Sequence, residues 1–230
     1  MTKGGITMKN TIKALKYAFA QMNHPLVYFA FLVYLVLFVA PSFAVLYFVS
    51  DHKFNVLFFK IPMMNAFNGV FLPMLMIIKS FIGNSKYNYS LSFSKKLHTV
   101  VPVILSFTLS IAVFIIFAVL AGRNSGREFR AAVILIGSAG FSLIGITASL
   151  SGARGRDFLI PFILAFAFIG SMTDKIIEMV NVACPVGYAS VIAVVIFAVS
   201  IVSSILYLNV IWNKKSRFIK TVYSNLAGKF

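Results

Sequence analysis

Long apolar runs without a single charge dominate this sequence. The first extends from Pro25 to Val49, which is 25 residues with no charged side chain. A helix needs about 20 apolar residues to cross a bilayer, and in lipid only helices and closed barrels satisfy their backbone hydrogen bonds. The pattern therefore predicts an all-α integral membrane protein with six transmembrane helices, at about 25–49, 61–78, 100–121, 131–150, 158–173 and 187–211.

The composition agrees with lipid as the main solvent. Charged residues make up 11% of the chain and hydrophobic residues 60%, whereas a soluble domain carries roughly 25% charged residues. A net charge of +16 is compatible with nucleic-acid binding. The basic residues lie between the apolar runs, however, where the positive-inside rule places them. We therefore expect the lipid bilayer, and no nucleic acid, as a partner, and a single transmembrane domain over residues 1–230.

The basic residues also orient the predicted helices. If the N-terminus lies inside, the inner segments hold 15 of the 21 lysines and arginines. Because short cytoplasmic loops are enriched in Lys and Arg, we expect a multi-pass protein of the cell membrane with both termini in the cytoplasm. Residues 212–230 would then form a basic cytoplasmic tail. The loop from Arg123 to Arg130 fits least well, because its three arginines fall on the outer side.

Two segments outside the runs have the period of amphipathic helices. Residues 9–22 place four apolar side chains on one face and lysines beside it, which predicts an interfacial helix on the inner leaflet. The apolar residues are Ile12, Leu15, Phe19 and Met22, and the lysines are Lys9, Lys13 and Lys16. This helix is either a simple membrane anchor or also a contact for a cytoplasmic partner. A short amphipathic outer helix is predicted between spans five and six, at about 172–181.

Catalytic motifs are missing from the sequence. It has no Gly-x-x-x-x-Gly-Lys-[Ser/Thr] phosphate loop, and its three histidines have no metal-binding spacing. We therefore expect no enzyme activity and no cofactor or metal in this chain. Asn65 and Asn68 form a polar pair on one face of the second predicted span. They either make a hydrogen bond between helices or line a translocation path.

The segment after the second span carries a family resemblance. Residues 84–98 contain a Tyr-rich stretch and then Leu91-Ser92-Phe93-Ser94-Lys95, just before the third span. This resembles the Tyr-rich stretch and Leu-x-x-Pro-x-Ser-Arg/Lys pattern of ABC transporter permease subunits of the ABC-2 exporter type. The proline of that pattern is absent here and the spacing is shorter. The six spans, the basic leading helix and the outer helix are similar to that family along nearly the full chain.

The resemblance implies a set of partners. Residues 84–98 would be the coupling segment that docks on a separate ATPase subunit, which would hold the ATP and Mg²⁺. Aromatic residues are enriched at protein interfaces, so the expected ATPase contacts are Lys86, Tyr87, Tyr89, Phe93, Ser94, Lys95 and Lys96. A second permease chain, identical or related, would complete the pathway. An amphipathic peptide or another amphiphile is the expected substrate.

Two other functions stay open. The chain could be the substrate-capturing membrane subunit of a vitamin-type importer, which also has six spans and no phosphate loop. It could also be a membrane protein without a transport role, such as an immunity or assembly protein. Co-purification distinguishes them, because only an exporter permease predicts a stoichiometric ATPase and two membrane chains in one complex.

Overall fold

A computed structural model describes residues 3–22, 91–124, 127–151 and 185–227, together with a few isolated positions between 28 and 40. The four long described segments are helical: α1 is Lys3–Met22, α2 is Ser94–Asn124, α3 is Arg127–Ser151 and α4 is Val186–Ala227. The helices α2, α3 and α4 are each long and apolar enough to cross a membrane. Within the described residues, the prediction of an all-helical membrane protein is therefore confirmed.

The three long helices coincide with the third, fourth and sixth predicted spans, and all three are longer than predicted, α3 only slightly. The helix α2 begins at Ser94 rather than at 100, and α4 continues beyond 211 to Ala227, so much of the predicted tail is helical. The second and fifth predicted spans and the short outer helix lie outside the described residues, as does the first apart from the isolated positions.

The helix α3 is the central element of the described bundle. In the most apolar part of each helix, 72% of the residues of α3 are buried, against 33% for α2 and 22% for α4. It runs antiparallel to α2, since Phe107 lies against Gly145 and Phe114 lies against Gly137. Small residues let membrane helices approach closely, and here each glycine leaves the space that a phenylalanine ring fills.

The helix α4 is buried along one narrow stripe. Its buried residues follow one another at steps of four, four and three, and the pattern then repeats: Ala189, Ala193, Phe197, Ser200, Ser204, Leu208 and Ile211. Between Val186 and Val210, most of the other side chains are apolar and exposed, and many of them are valines. A helix that is apolar on all its sides is typical of a membrane-spanning segment.

Two ring contacts give the direction of α4 relative to α2. Phe114 and Phe197 have ring centroids 5.3 Å apart, and His98 and Trp212 have centroids 4.9 Å apart. From one pair to the other, the residue number on α2 rises from 98 to 114 while that on α4 falls from 212 to 197. The two helices are therefore antiparallel. The beginning of α2 and the end of the apolar part of α4 therefore lie at the same end of the bundle.

Several hydroxyl groups inside these helices donate to the backbone of their own helix, whereas the buried hydroxyls of Ser110 and Ser142 have no hydrogen-bond partner among the described residues. Thr147 donates to the carbonyl oxygen of Leu143 at 2.6 Å, and Ser204 donates to that of Ser200 at 2.7 Å. Such bonds to the preceding turn remove the penalty of a polar group in an apolar environment. Serine and threonine can therefore serve as small packing residues in these spans.

Candidate functional site

The candidate site is the end of the bundle where α1, the start of α2 and Trp212 of α4 meet. We call it the basic end, because it carries lysines from all three helices: Lys9, Lys13, Lys16, Lys95, Lys96 and Lys214. All six are exposed except Lys96, which is half-buried. No acidic residue occurs in residues 3–22, 91–98 or 212–227, so the described segments at this end carry positive charge and no negative side chain.

The contact between α1 and α2 is a small apolar seam. Ala14 and Ala18 of α1 are buried against Leu97 and Val101 of α2. The two alanines lie one turn apart on α1, and their small side chains allow the helix to lie close to α2. The predicted amphipathic helix is thus present, and it is fixed to the membrane-spanning bundle through its alanines.

The predicted apolar face of α1 is mostly not the face that contacts α2. Ile12 and Phe19 are exposed, as is Met8 one turn before Ile12, while Leu15 is half-buried beside the seam. The exposed lysines of α1 flank these apolar side chains. An exposed apolar face bordered by lysines is the arrangement expected of a helix in the headgroup region, and on α1 this face is separate from the surface that contacts α2.

A short turn at residues 91–93 of the predicted coupling segment leads into α2, whose first five residues belong to the same segment. The backbone N–H of Ser94 donates to the carbonyl oxygen of Leu91 at 3.0 Å, and that of Leu97 donates to the carbonyl of Phe93 at 3.0 Å. Phe93 therefore occupies the N-cap position, where the carbonyl accepts the first helical bond. The coupling residues Lys95 and Lys96 consequently belong to the first turn of a membrane-spanning helix.

Phe93 packs on α1. Its ring meets that of Tyr17 edge-to-face, with centroids 5.7 Å apart and an interplanar angle of 61°. This is a favoured geometry for aromatic pairs. Phe93 is half-buried as a result, so only part of its ring is available to a partner.

His98 and Trp212 join α2 to α4 at the basic end. The Nδ1–H group of His98 donates to the carbonyl oxygen of Ser94 at 2.8 Å, which fixes the ring one turn into α2. The imidazole then lies against the indole of Trp212. Sequence analysis placed His98 at the end of the predicted coupling segment 84–98 without an individual role and gave Trp212 none. The sequence offered one signal: His98 lies just before the third apolar run and Trp212 just after the sixth, on the same predicted side of the membrane.

The start of α2 is electrostatically unusual. The backbone dipoles of a helix give its N-terminus a partial positive charge, which favours acidic side chains there. The first turn of α2 has no acid and instead carries Lys95 and Lys96. These lysines add to the dipole field rather than offset it. An acidic surface placed against this turn would interact favourably with both.

Four of the predicted ATPase contacts lie in the described residues and are adjacent: Phe93, Ser94, Lys95 and Lys96. Ser94 is buried, which leaves the two lysines and part of the Phe93 ring accessible. The other predicted site residues lie outside the described residues: Lys86, Tyr87, Tyr89, Asn65 and Asn68. In the segments that the structure describes, no group of three His, Cys, Asp or Glu side chains could hold a metal ion.

Comparison with known proteins identifies no relative. No protein-family model, no curated protein and no solved structure matches the chain.

Proposed function

We propose that this chain is the permease subunit of an ATP-driven exporter of the ABC-2 type, with six spans and both termini in the cytoplasm. The basic end would dock on a separate ATPase subunit that holds ATP and Mg²⁺. A second permease chain would complete the translocation path, and the substrate would be an amphiphile such as an amphipathic peptide. Asn65 and Asn68 are proposed to line that path.

One observation carries the proposal: the coupling segment and α1 are joined to the same membrane-spanning helix. Phe93 contacts Tyr17, and the Ala14–Ala18 seam lies directly below on α2. A partner that binds Lys95 and Lys96 would touch the first turn of α2 without an intervening loop. Movement of that partner would therefore act on a spanning helix, as ATP-driven transport requires.

The charge of the basic end supports an acidic partner surface. Six lysines from three helices and the N-terminus of α2 all present positive charge. Complementary charge increases the rate of association and fixes its orientation, while buried aromatic anchors supply most of the affinity. In this proposal the lysines steer the ATPase, and Tyr87, Tyr89 and the accessible part of Phe93 anchor it.

The test is co-purification of candidate ATPase subunits, encoded by neighbouring genes, with wild-type and variant chains. Replacing Tyr87, Tyr89 and Phe93 together by alanine should cost roughly 2 kcal/mol or more of docking free energy. The variant should still insert into the membrane but lose ATPase recovery and stimulated ATP hydrolysis. Undiminished recovery and hydrolysis would remove the coupling role.

Two controls separate docking from folding. Tyr188 and Tyr207 are exposed aromatic residues on α4 outside the coupling segment, and their replacement by alanine should leave ATPase recovery unchanged. A Phe93→Ala variant loses its contact with Tyr17, so its thermal stability must be measured beside its binding. Lys95→Ala with Lys96→Ala should weaken docking in a salt-sensitive way, because exposed charges are screened over about 10 Å at 0.1 M salt.

A further inference from the structure

The surface of α1 is divided lengthwise into three sectors. At 3.6 residues per turn, the buried Ala14 and Ala18 define the sector that contacts α2. Next around the helix lies an apolar sector, which consists of Met8, Ile12, Leu15 and Phe19. Beyond it, on the side away from α2, lies a basic sector of Lys9, Lys13 and Lys16. The contact with α2 thus leaves an apolar and a basic surface side by side.

Both of these surfaces are accessible in the part of the chain that the structure describes. Met8 is 69% exposed, Phe19 55% and Ile12 45%, and the three lysines of the basic sector are exposed as well. Water is a poor solvent for a row of large apolar side chains. An occupant that suits the whole surface must therefore be apolar on one side and negatively charged on the other.

The chain itself cannot supply the negative charge. It has five acidic residues against 21 lysines and arginines. One of the five, Glu128, lies at the start of α3, at the end of the bundle opposite to α1, because α3 is antiparallel to α2. The segments outside the described residues hold the other four acidic residues and eight basic ones, so their own lysines and arginines already outnumber their acids. The negative charge must come from another molecule.

The contact with α2 holds α1 at the edge of the lipid. Leu97 and Val101, which pack against its alanines, lie near the start of the candidate span Ser94–Leu120. Trp212 lies at the same end of the bundle, and tryptophan is enriched where membrane meets water. At that depth a bilayer offers acyl chains directly beside phosphate groups. Anionic lipid therefore supplies both of the surfaces that the occupant needs.

From the sectors, the charge balance and the depth, we infer that α1 binds anionic phospholipids in preference to neutral ones. Their acyl chains cover the apolar sector, and their phosphates lie against Lys9, Lys13 and Lys16. Each lysine near a bilayer surface favours anionic lipid by about fivefold. The inference goes beyond the proposed permease function and needs no ATPase, because Lys95 and Lys96 on α2 remain the proposed ATPase contacts.

The test measures which lipid surrounds α1 when the full-length chain is in vesicles of phosphatidylcholine and phosphatidylglycerol in equal parts. The chain has one tryptophan, so Trp212→Phe together with Phe19→Trp places the only tryptophan in the apolar sector. Its fluorescence is quenched by one lipid or the other, brominated on its acyl chains. The quenching should show an enrichment of phosphatidylglycerol by about fivefold or more.

A control reporter and two sets of variants make the test specific. Val199→Trp in the same Trp212→Phe background should show no enrichment, because Val199 is exposed on α4 far from the basic sector. Replacing the three lysines of the basic sector by glutamine should abolish the enrichment at position 19, and replacing them by arginine should keep it. If Phe19→Trp does not fold, Met8→Trp reports on the same sector. If Trp212→Phe does not fold, mass spectrometry of the lipids that co-purify with the wild-type and glutamine variants gives the same comparison.

Several results would overturn the inference. They are equal quenching by the two lipids at position 19, an enrichment that survives the three glutamine substitutions, and an absence of quenching by either lipid, which would show that protein covers the apolar sector. Loss of ATPase co-purification in the glutamine variant with an unchanged lipid preference would also overturn it, since the lysines would then serve a protein partner. Failure of any ATPase to co-purify with the wild-type chain leaves the lipid preference intact, so the proposed function is tested separately.

Discussion

Replacing Gly145 by alanine probes the tight contact between α2 and α3. A methyl group at this position would lie 2.9 Å from Cε1 of Phe107 and 3.0 Å from Cδ1 and Cζ. The Phe107 ring is only 2% exposed, and its atoms belong to a rigid ring rather than to the flexible end of a chain. Either the ring or one of the helices must therefore move.

Two opposing effects determine how much Gly145→Ala changes the free energy of unfolding. Overpacking a filled core costs about 1–3 kcal/mol, while alanine stabilises a helix over glycine by about 1 kcal/mol. The expected net loss for Gly145→Ala is therefore about 0–2 kcal/mol. Gly187 is the matched control, because a methyl group there would meet nothing within 4 Å. Gly187→Ala should be neutral or slightly stabilising.

The assay is thermal unfolding of both variants in the same detergent. In a soluble protein of this size, 1 kcal/mol shifts Tm by about 2–4 °C, so Gly145→Ala should melt several degrees below Gly187→Ala. Adding Phe107→Leu removes the ring and should narrow the difference between Gly145→Ala and its parent. If Gly145→Ala melts above Gly187→Ala, or Phe107→Leu leaves the difference between Gly145→Ala and its parent unchanged, the close packing of α2 on α3 is refuted.

Three further predictions concern orientation, the lone cysteine and the basic end. Cysteines introduced at Thr2 and Lys229 should resist labelling from outside intact cells; strong labelling at either would reverse the topology. Cys184→Ser should keep assembly and transport, because the chain has one cysteine and no disulfide can form within it; loss of transport would reveal a role for the thiol. His98→Ala should change the emission of Trp212, the only tryptophan of the chain, since it removes the ring 4.9 Å away; an unchanged spectrum would show that the two rings do not meet.

Hydrophobic runs predict spanning helices well but place their ends poorly. The span predicted at 131–150 differs little from α3, which is Arg127–Ser151. The predicted start of α2 is six residues late, because Lys95, Lys96 and His98 interrupt the apolar run but not the helix. The same reason explains α4, where charges after Trp212 end the apolar part while the helix continues. Charge marks the edge of the lipid, and backbone hydrogen bonds decide the end of the helix.

Small residues explain most of what the sequence could not predict about the sites. Periodicity detected the apolar face of α1 that is exposed, yet Ala14 and Ala18 make its buried contact. A residue with little hydrophobic surface gives a weak periodic signal, and its partner on another helix is set by tertiary packing. The sequence also could not predict that the first turn of α2, with Lys95 and Lys96, lies beside α1, because the alanines of α1 make that contact.

The unbroken length of α4 has a mechanical consequence. Its 42 residues extend about 63 Å at 1.5 Å per residue, roughly twice the thickness of the hydrocarbon core. No proline or glycine lies between Tyr188 and Leu226, and these residues are the usual causes of a kink. A helix without a break moves as one rod when its membrane-spanning part tilts. With an arm of roughly 40 Å from the bilayer midplane to Ala227, a tilt of about 10° moves the tip by roughly 7 Å, so a small rearrangement among lipids becomes a large displacement in water.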